Sequence, residues 1–400
     1  MNSHVMPTYN RLAVTFERGE GVWLWDDKGK RYLDALSGIA VCGLGHTHPA
    51  VHSAICKQSG KLLHTSNIYR IAVQEQLADK LISLSGMDNV FFGNSGAEAN
   101  EAAIKLARKF AHERAISNPA IIVTDGSFHG RTLATLSATG NAKIQKGFEP
   151  LVEGFIRVPY NDIAAIKSAI EQNTNIVAIL VEPIQGEGGI NIPASDYLNN
   201  IRALCDQHNL LMMLDEIQTG MGRTGKFLAY QYNGILPDVC TLAKALGNGV
   251  PIGACLASGK AATLFTAGNH GSTFGGNPLA CSAALAVLET LDKDNLIATA
   301  ETKGLAIFSG LAKLLQNNPH IVEIRHKGLM IGIELDTPCA ELVQKALVNG
   351  LLINVTQDKV IRLLPPLIID DIQIQQLIDT LAMLIAQFTE QLSPVSDHAA

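Results

Sequence analysis

Four hundred residues, 47% hydrophobic and 17% charged, carry enough apolar material for a large core and no compositional mark of disorder. The formal net charge of −6 comes from scattered residues, so no basic patch invites a nucleic acid or an anionic membrane. Seven cysteines, odd in number, widely spaced and never in a C-x-x-C pair, signal neither a disulfide framework nor a zinc site, and read as small core residues of a reducing cytoplasm. The amino terminus has no basic region followed by an apolar stretch, and no apolar run reaches about 18 residues, so neither secretion nor membrane insertion is expected.

Residues 20–34 alternate apolar and polar positions around a D-D-K-G turn, which predicts a hairpin ahead of the core. From about residue 70, strand and helix patterns alternate. Strands are predicted at 90–92, 121–124, 176–181, 210–214, 238–242 and 252–257, with an amphipathic helix at 97–111. That alternation implies an α/β domain with a doubly wound, mostly parallel sheet. Residues 278–291 read as a long helix leaving this domain. Short strands at 320–325, 330–335 and 360–363 among helical segments then predict a smaller α+β domain. The expected division is 1–48, 49–294 and 295–400.

The chemistry is expected at strand ends. Open α/β sheets bind ligands beyond the carboxyl ends of their strands. The run 210–214 stops at Asp215-Glu216, and the run 238–242 stops at Ala243-Lys244. A carboxylate that must stay charged, beside a lysine that must lose its proton to attack a carbonyl, is the pair a pyridoxal 5'-phosphate (PLP) site requires. Lys244 lies in a stretch with few charges, where desolvation favours the neutral amine. Other readings coexist. An acidic pair after an apolar strand also suits a metal or nucleotide site or a helix cap, although no G-x-x-x-x-G-K-[ST] segment accompanies it. An isolated lysine is usually solvated surface. The loop 93–97 presents small residues at a helix start, with Ser95 and Glu98 at capping-box spacing, and is an anion site by construction. Many strand–helix turns look alike, however. Phe128 in the loop 124–131 suits core packing as well as ligand contact.

Six segments, SGAEAN, FHGR, EPIQGEGG, DEIQTGMGRTG, AKALGNGVPIGA and HGSTFGGNPLA, occur in that order over most of the chain. Together they resemble the class III aminotransferases. The resemblance implies fold type I of the PLP-dependent transferases, with residues 1–48 packing against the small domain, and PLP as cofactor. It places Gly96 and Ala97 on the cofactor phosphate, Phe128 over the pyridine ring, Asp215 on the ring nitrogen and Gln218 near the phenolic oxygen. Lys244 becomes the covalent anchor and the proton carrier. Ser272 and Thr273 reach across a homodimer interface, Thr273 to the neighbouring cofactor phosphate. Arg131 takes a substrate carboxylate, as a planar two-pronged donor suits. Arg362 takes the α-carboxylate of glutamate, and Glu187 pairs with Arg362 when an ω-amine occupies the site. His129 receives no proton-transfer role.

Ala97 stands where threonine is common in the family, and Asn248 where glycine is common. The segments GIAVCGLGHTHP, HTSNIY and HGSTFGGNPLACSAA, with Ile39 in place of a tyrosine, imply a donor whose α-amine is acylated. N2-acetyl-L-ornithine would then be the donor, and 2-oxoglutarate the acceptor that leaves as glutamate, in arginine biosynthesis. Succinylornithine, N-succinyl-diaminopimelate, ornithine and 4-aminobutyrate are the neighbouring substrates. Relatives that isomerise, as aminomutases or racemases, use the same kind of site. A binding protein on a disabled transferase fold would have lost the lysine or the aspartate, and both are present.

Overall fold

The computed structural model describes residues 4–392. Phe16–Glu20 (β1), Trp23–Asp26 (β2) and Arg31–Asp34 (β3) form an antiparallel meander. Its second half is the predicted hairpin. Asp26 builds the turn, its Oδ1 accepting from the backbone N–H groups of Lys28 and Lys30. β1 escapes prediction because FERGE is nearly all polar and its residues are mostly exposed.

The large sheet contains Asn89–Gly93 (β4), Ala120–Thr124 (β5), Phe155–Val158 (β6), Ile176–Val181 (β7), Leu211–Asp215 (β8), Val239–Leu242 (β9) and Gly253–Ala257 (β10). Their spatial order is β4-β10-β9-β8-β7-β5-β6. The strands from β6 to β9 are parallel, as the alternation predicted. β10 runs antiparallel to both β9 and β4. The connection from β9 to β10, residues 243–252, is shorter than the dozen or more residues a parallel crossover needs. β5, β7, β8, β9 and β10 are buried at every position, which explains their near-continuous apolar runs. β6 is a partly exposed edge with an arginine in it, and sequence patterning missed it.

The helix Gly96–Glu113 buries Ala99, Ala103, Leu106, Ala107 and Phe110 against the sheet. Ser95 caps it by accepting from the Glu98 N–H at 3.2 Å. Glu98 does not close a regular capping box; it reaches one residue further back and takes the Asn94 N–H at 2.6 Å.

The helices Pro278–Lys293 and Leu296–Leu315 lead to the third region. There Ile321–Lys327 (β11), Met330–Leu335 (β12), Leu351–Leu352 (β13), Asn354–Thr356 (β14) and Val360–Leu363 (β15) follow. β11-β12-β15-β14 is an antiparallel sheet, while β13 pairs in parallel with β3 and completes the amino-terminal meander. All seven cysteines are unpaired. No helix among the described residues is long and apolar enough to cross a membrane.

One contact sets the large sheet against the start of the helix Gly96–Glu113. Gly253 opens β10, and a Cβ there would lie 2.2 Å from the carbonyl oxygen of Ser95. Gly253→Ala is expected to lower stability by about 1–3 kcal/mol through overpacking, read from the urea midpoint. An unchanged midpoint would mean that the Ser95 backbone gives way freely.

Candidate active site

A cavity of about 450 Å³ opens beyond the carboxyl ends of the parallel strands. Gly96, Ala97, Phe128, Arg131, Glu187, Asp215, Gln218 and Lys244 all line it, brought together from segments separated by up to 148 residues (244 − 96).

Asp215 ends β8 almost shut off from water, at 4% exposure. Its Oδ2 receives the Asn100 amide at 2.8 Å and meets His129 Nδ1 at 2.8 Å, and its Oδ1 accepts the Ile217 N–H at 3.1 Å. Asn100 is held in turn: it donates to the His129 carbonyl, and its own Oδ1 accepts from the Thr241 hydroxyl at 2.8 Å. A carboxylate surrounded in this way is fixed in direction while facing the cavity. That is the geometry needed opposite a cationic ring nitrogen.

At the other end, Gly96 and Ala97 start an 18-residue helix whose first N–H groups lack intrahelical partners. Space there is tight. A Cβ on Gly96 would lie 2.7 Å from Ile217 Cδ1, and one on Gly130 would lie 3.0 Å from the Ala97 methyl. The cradle therefore suits a compact anion such as a phosphate, and Asp215 sits across the same cavity. The residues present fit PLP between them.

Lys244 follows β9 with φ of +48°, a left-handed conformation that costs a non-glycine residue about 1–2 kcal/mol. Asn248, also left-handed at +46°, ties this segment down: its Oδ1 accepts from the Leu44 N–H at 2.8 Å, and its Nδ2 donates to the Gly45 carbonyl at 3.0 Å. The departure from glycine at 248 thus supplies two hydrogen bonds. Burial lowers the pKa of the Lys244 amine, Glu187 draws it back up, and Arg362 pushes it down again.

Of the two predicted arginines only Arg131 lines the cavity; Arg362 lies behind its wall and reaches it through Glu187 and, at 3.3 Å, Gln218. Arg131 is exposed, its guanidinium carbon 5.7 Å from the Phe128 ring centroid, with no ion pair among the described residues. Arg362 is fully buried on β15. Its Nη1 donates to Glu187 Oε1 at 2.6 Å and its Nε to Asn354 Oδ1 at 2.9 Å, while its Nη2 is buried with no hydrogen-bond partner. Burial acts to raise the Glu187 pKa, but the Arg362 charge overcomes it and holds the carboxyl low.

Ser272 and Thr273 do not line the cavity of their own chain. Ser272 Oγ accepts from the Asn94 amide at 3.1 Å, and Thr273 is exposed. Sequence reasoning gave three groups no role, His129 having been noted without one. His129 and Asn100 are the supports of Asp215; Asn100 was in view as the last residue of SGAEAN, four positions after Gly96 and so on the same helix face. Glu182, in EPIQGEGG, lines the cavity and accepts from the Phe128 and Gly186 N–H groups at 3.1 and 3.2 Å. Burial raises its pKa to about 7; His129 opposes this shift and Asp215 adds to it.

Residues 5–385 match the model of the family described as aminotransferase class-III. The acetylornithine aminotransferase of Nitrosomonas europaea is 57% identical over 97% of this chain and 99% of its own length. A Bordetella bronchiseptica acetylornithine aminotransferase is 51% identical over 98% of this chain and all of its own. Among solved structures, the ornithine aminotransferase of Toxoplasma gondii superposes with a TM-score of 0.94 at 35% identity, over 97% of this chain and 94% of that one. The acetylornithine aminotransferase of Elizabethkingia anophelis gives 0.86 at 38% identity, over 96% and 97%. With the cavity geometry and a full-length family match agreeing, this chain belongs to the class III aminotransferases.

Proposed function

We propose that the chain transfers the terminal amine of N2-acetyl-L-ornithine to 2-oxoglutarate, giving N-acetyl-L-glutamate 5-semialdehyde and L-glutamate. The observation that carries this reading is the pair of unlike arginines, one free at the cavity mouth and one already covered by a glutamate. The acetylornithine aminotransferases at 51–57% identity support the donor.

PLP, the cofactor of the family, supplies when bound an aldehyde that takes up an amine and a ring that accepts electrons from the donor carbon. Lys244 is the amine that would anchor it and, once freed, would hold and move the proton at the donor carbon. Asp215, steadied by His129 and Asn100, keeps the ring nitrogen protonated. Phe128, Gln218, Gly96 and Ala97, all on the cavity wall, would hold the ring, its phenolic oxygen and the phosphate. Arg131 binds the carboxylate of either substrate. With acetylornithine bound, Glu187 stays on Arg362 and removes a charge the donor has no use for; with glutamate or 2-oxoglutarate, Glu187 yields and Arg362 takes the second carboxylate.

A homodimer completes the site in this reading, Ser272 and Thr273 serving the neighbouring cavity. The exposed Ile68, Tyr69 and Phe274 close to Thr273 support such a contact. Within the expected division of 1–48, 49–294 and 295–400, described residues 4–48 would pack with the small domain of described residues 295–392, the pairing of β3 with β13 supporting this; residues 1–3 and 393–400 lie outside the described residues.

Adding N-acetylornithine to the PLP-loaded protein, without oxo acid, is expected to bleach the yellow band of the lysine-bound cofactor at far lower concentration than ornithine or 4-aminobutyrate. Absence of the band would refute the cofactor site, and preferential bleaching by either competitor would move the donor assignment.

Arg131→Ala is expected to raise KM for both acetylornithine and 2-oxoglutarate by roughly 10–100-fold, the worth of a charge-assisted hydrogen-bond pair. Arg362→Ala should do so for 2-oxoglutarate alone. Equal effects of Arg362→Ala on both substrates would contradict the switch.

Glu182 and Glu216 both have pKa values raised by burial to about 7 from an ordinary 4.5. A raised carboxyl binds a proton in the folded state that the unfolded chain releases, so its contribution is full below pH 4.5 and is lost as pH rises through 7. Glu182→Gln removes one such loss. Its stability relative to wild type should therefore improve by roughly 1–3 kcal/mol between pH 5 and pH 8. Parallel pH profiles would show that Glu182 ionises normally.

A further inference from the structure

The segment from Asn269 to Gly276 leads out of the large domain and back into it, with Thr273 and Phe274 exposed at its outer point. A surface segment with three glycines among eight residues would ordinarily be loose. This one is fastened at both ends. At the near end, the His270 ring packs against Phe91 of β4 and against Phe265, at centroid distances of 4.5 and 5.5 Å. Lys105, on the helix Gly96–Glu113, meets His270 Nδ1 at 2.9 Å and donates to the Asn269 carbonyl at 3.0 Å. An ammonium offers only donors, so this ring nitrogen is the acceptor and the imidazole is neutral. Burial, followed by the Lys105 charge, pushes the imidazole pKa down, against the pull of Glu101 and Glu98.

At the far end, the Asn67 amide donates to the carbonyls of Ser272 and Gly275 at 3.2 and 2.8 Å, and the Gln74 amide to that of Gly276 at 2.9 Å. Gly275 has no room for a side chain, since a Cβ there would lie 2.1 Å from the Phe92 carbonyl oxygen. In the middle, Ser272 Oγ accepts from the Asn94 amide and from the Gly275 N–H, both at 3.1 Å. Two of these anchors belong to the cradle already described. Asn94 lines the cavity, and Lys105 stands on the helix whose first residues, Gly96 and Ala97, form its anion end. How far Thr273 projects is therefore set by the phosphate cradle of its own chain, although Thr273 does not line that chain's cavity.

We propose that His270, gripped by Lys105, is a positioning residue for the cofactor of the neighbouring subunit, fixing the loop that carries Thr273 across the interface. The proposal rests on the homodimer reading above. A hydroxyl offers a phosphate one hydrogen bond, and that bond weakens steeply as its alignment is lost, so Thr273 on a loop free to swing would contribute little. The helix Gly96–Glu113 then serves both cavities, one through its amino terminus and the other through Lys105, His270 and Thr273.

The test follows release of PLP from the loaded protein into an excess of an apo-protein that captures it, read as decay of the yellow band of the lysine-bound cofactor. His270→Phe keeps the ring packing and removes the acceptor. Lys105→Met removes the donor at an exposed position, where folding is least at risk. Each is expected to release PLP about 3–10-fold faster, the worth of one net hydrogen bond, with the dimer unchanged on sedimentation. Thr273→Val should release it at least as fast, and adding His270→Phe to Thr273→Val should change nothing more, because the histidine acts through that hydroxyl. Mixed dimers locate the effect. Lys244→Ala silences the yellow band of one subunit; His270→Phe placed in that silent subunit should still speed decay in the other, whereas His270→Phe placed in the reporting subunit should leave its decay at the wild-type rate. Wild-type release from both single variants, additive effects of His270→Phe and Thr273→Val, or an effect confined to the substituted subunit's own cavity overturns the proposal. A wild-type protein that sediments as a monomer overturns the homodimer reading itself, a separate result visible before any variant is made.

Discussion

Asp215 is a carboxyl group placed where water scarcely reaches, and such a group is tolerated only when donors surround it. That requirement accounts for much of the architecture. The helix Gly96–Glu113 must lie close enough to β8 for Asn100 to reach Oδ2, the loop after β5 must bring His129 to the same oxygen, and Thr241 on β9 must hold Asn100. The same helix presents its amino terminus to the cavity at Gly96 and Ala97. One packing solution therefore fixes both the negative and the positive end of the cofactor cradle.

The second organising feature is unfavourable backbone geometry near the cavity. Lys244, Asn248 and the run Ser37–Ala40 all have positive φ. Asn248 and the turn are held by side-chain bonds: Asn248 to Leu44 and Gly45, Asp34 within the turn, Ser37 to Leu364, and Arg223 behind it. These ties join the segment after Lys244 to the segment after Arg362, so the spacing of the two is set by strained but heavily constrained backbone. Gly253, with no room for a side chain beside Ser95, applies the same close control at the phosphate end.

Charge in the cavity is balanced rather than merely positive. Arg131 and Lys244 line it with Asp215, Glu187 and Glu182, and Arg362 stands behind Glu187. Glu187 already occupies one prong of Arg362, so the pocket presents one free arginine, Arg131.

Much of this was legible in the linear chain. Buried parallel strands read as apolar runs, and Asp215 and Lys244 stood out because a charged residue abruptly ended each run. β1 and β6 were not legible, being short, exposed or interrupted by charge, and neither was the reversal of β10, which depends on the length of the lysine-bearing connection. Ordered motifs and the family resemblance marked Arg131, Glu187 and Arg362, yet nothing in their spacing states that Glu187 lies 2.6 Å from Arg362, 175 residues away. His129, Asn100 and Glu182 acquire their roles only by meeting Asp215 or the cavity in space, and the left-handed turn has no sequence mark beyond Gly38. The sequence by itself determined which strands are buried and which residue types stand at their ends, because burial and local backbone preference act over a few residues. Only the tertiary structure decided which charges face one another and which strained residues are held, because those interactions join groups far apart in the chain and exist only once the sheets have packed.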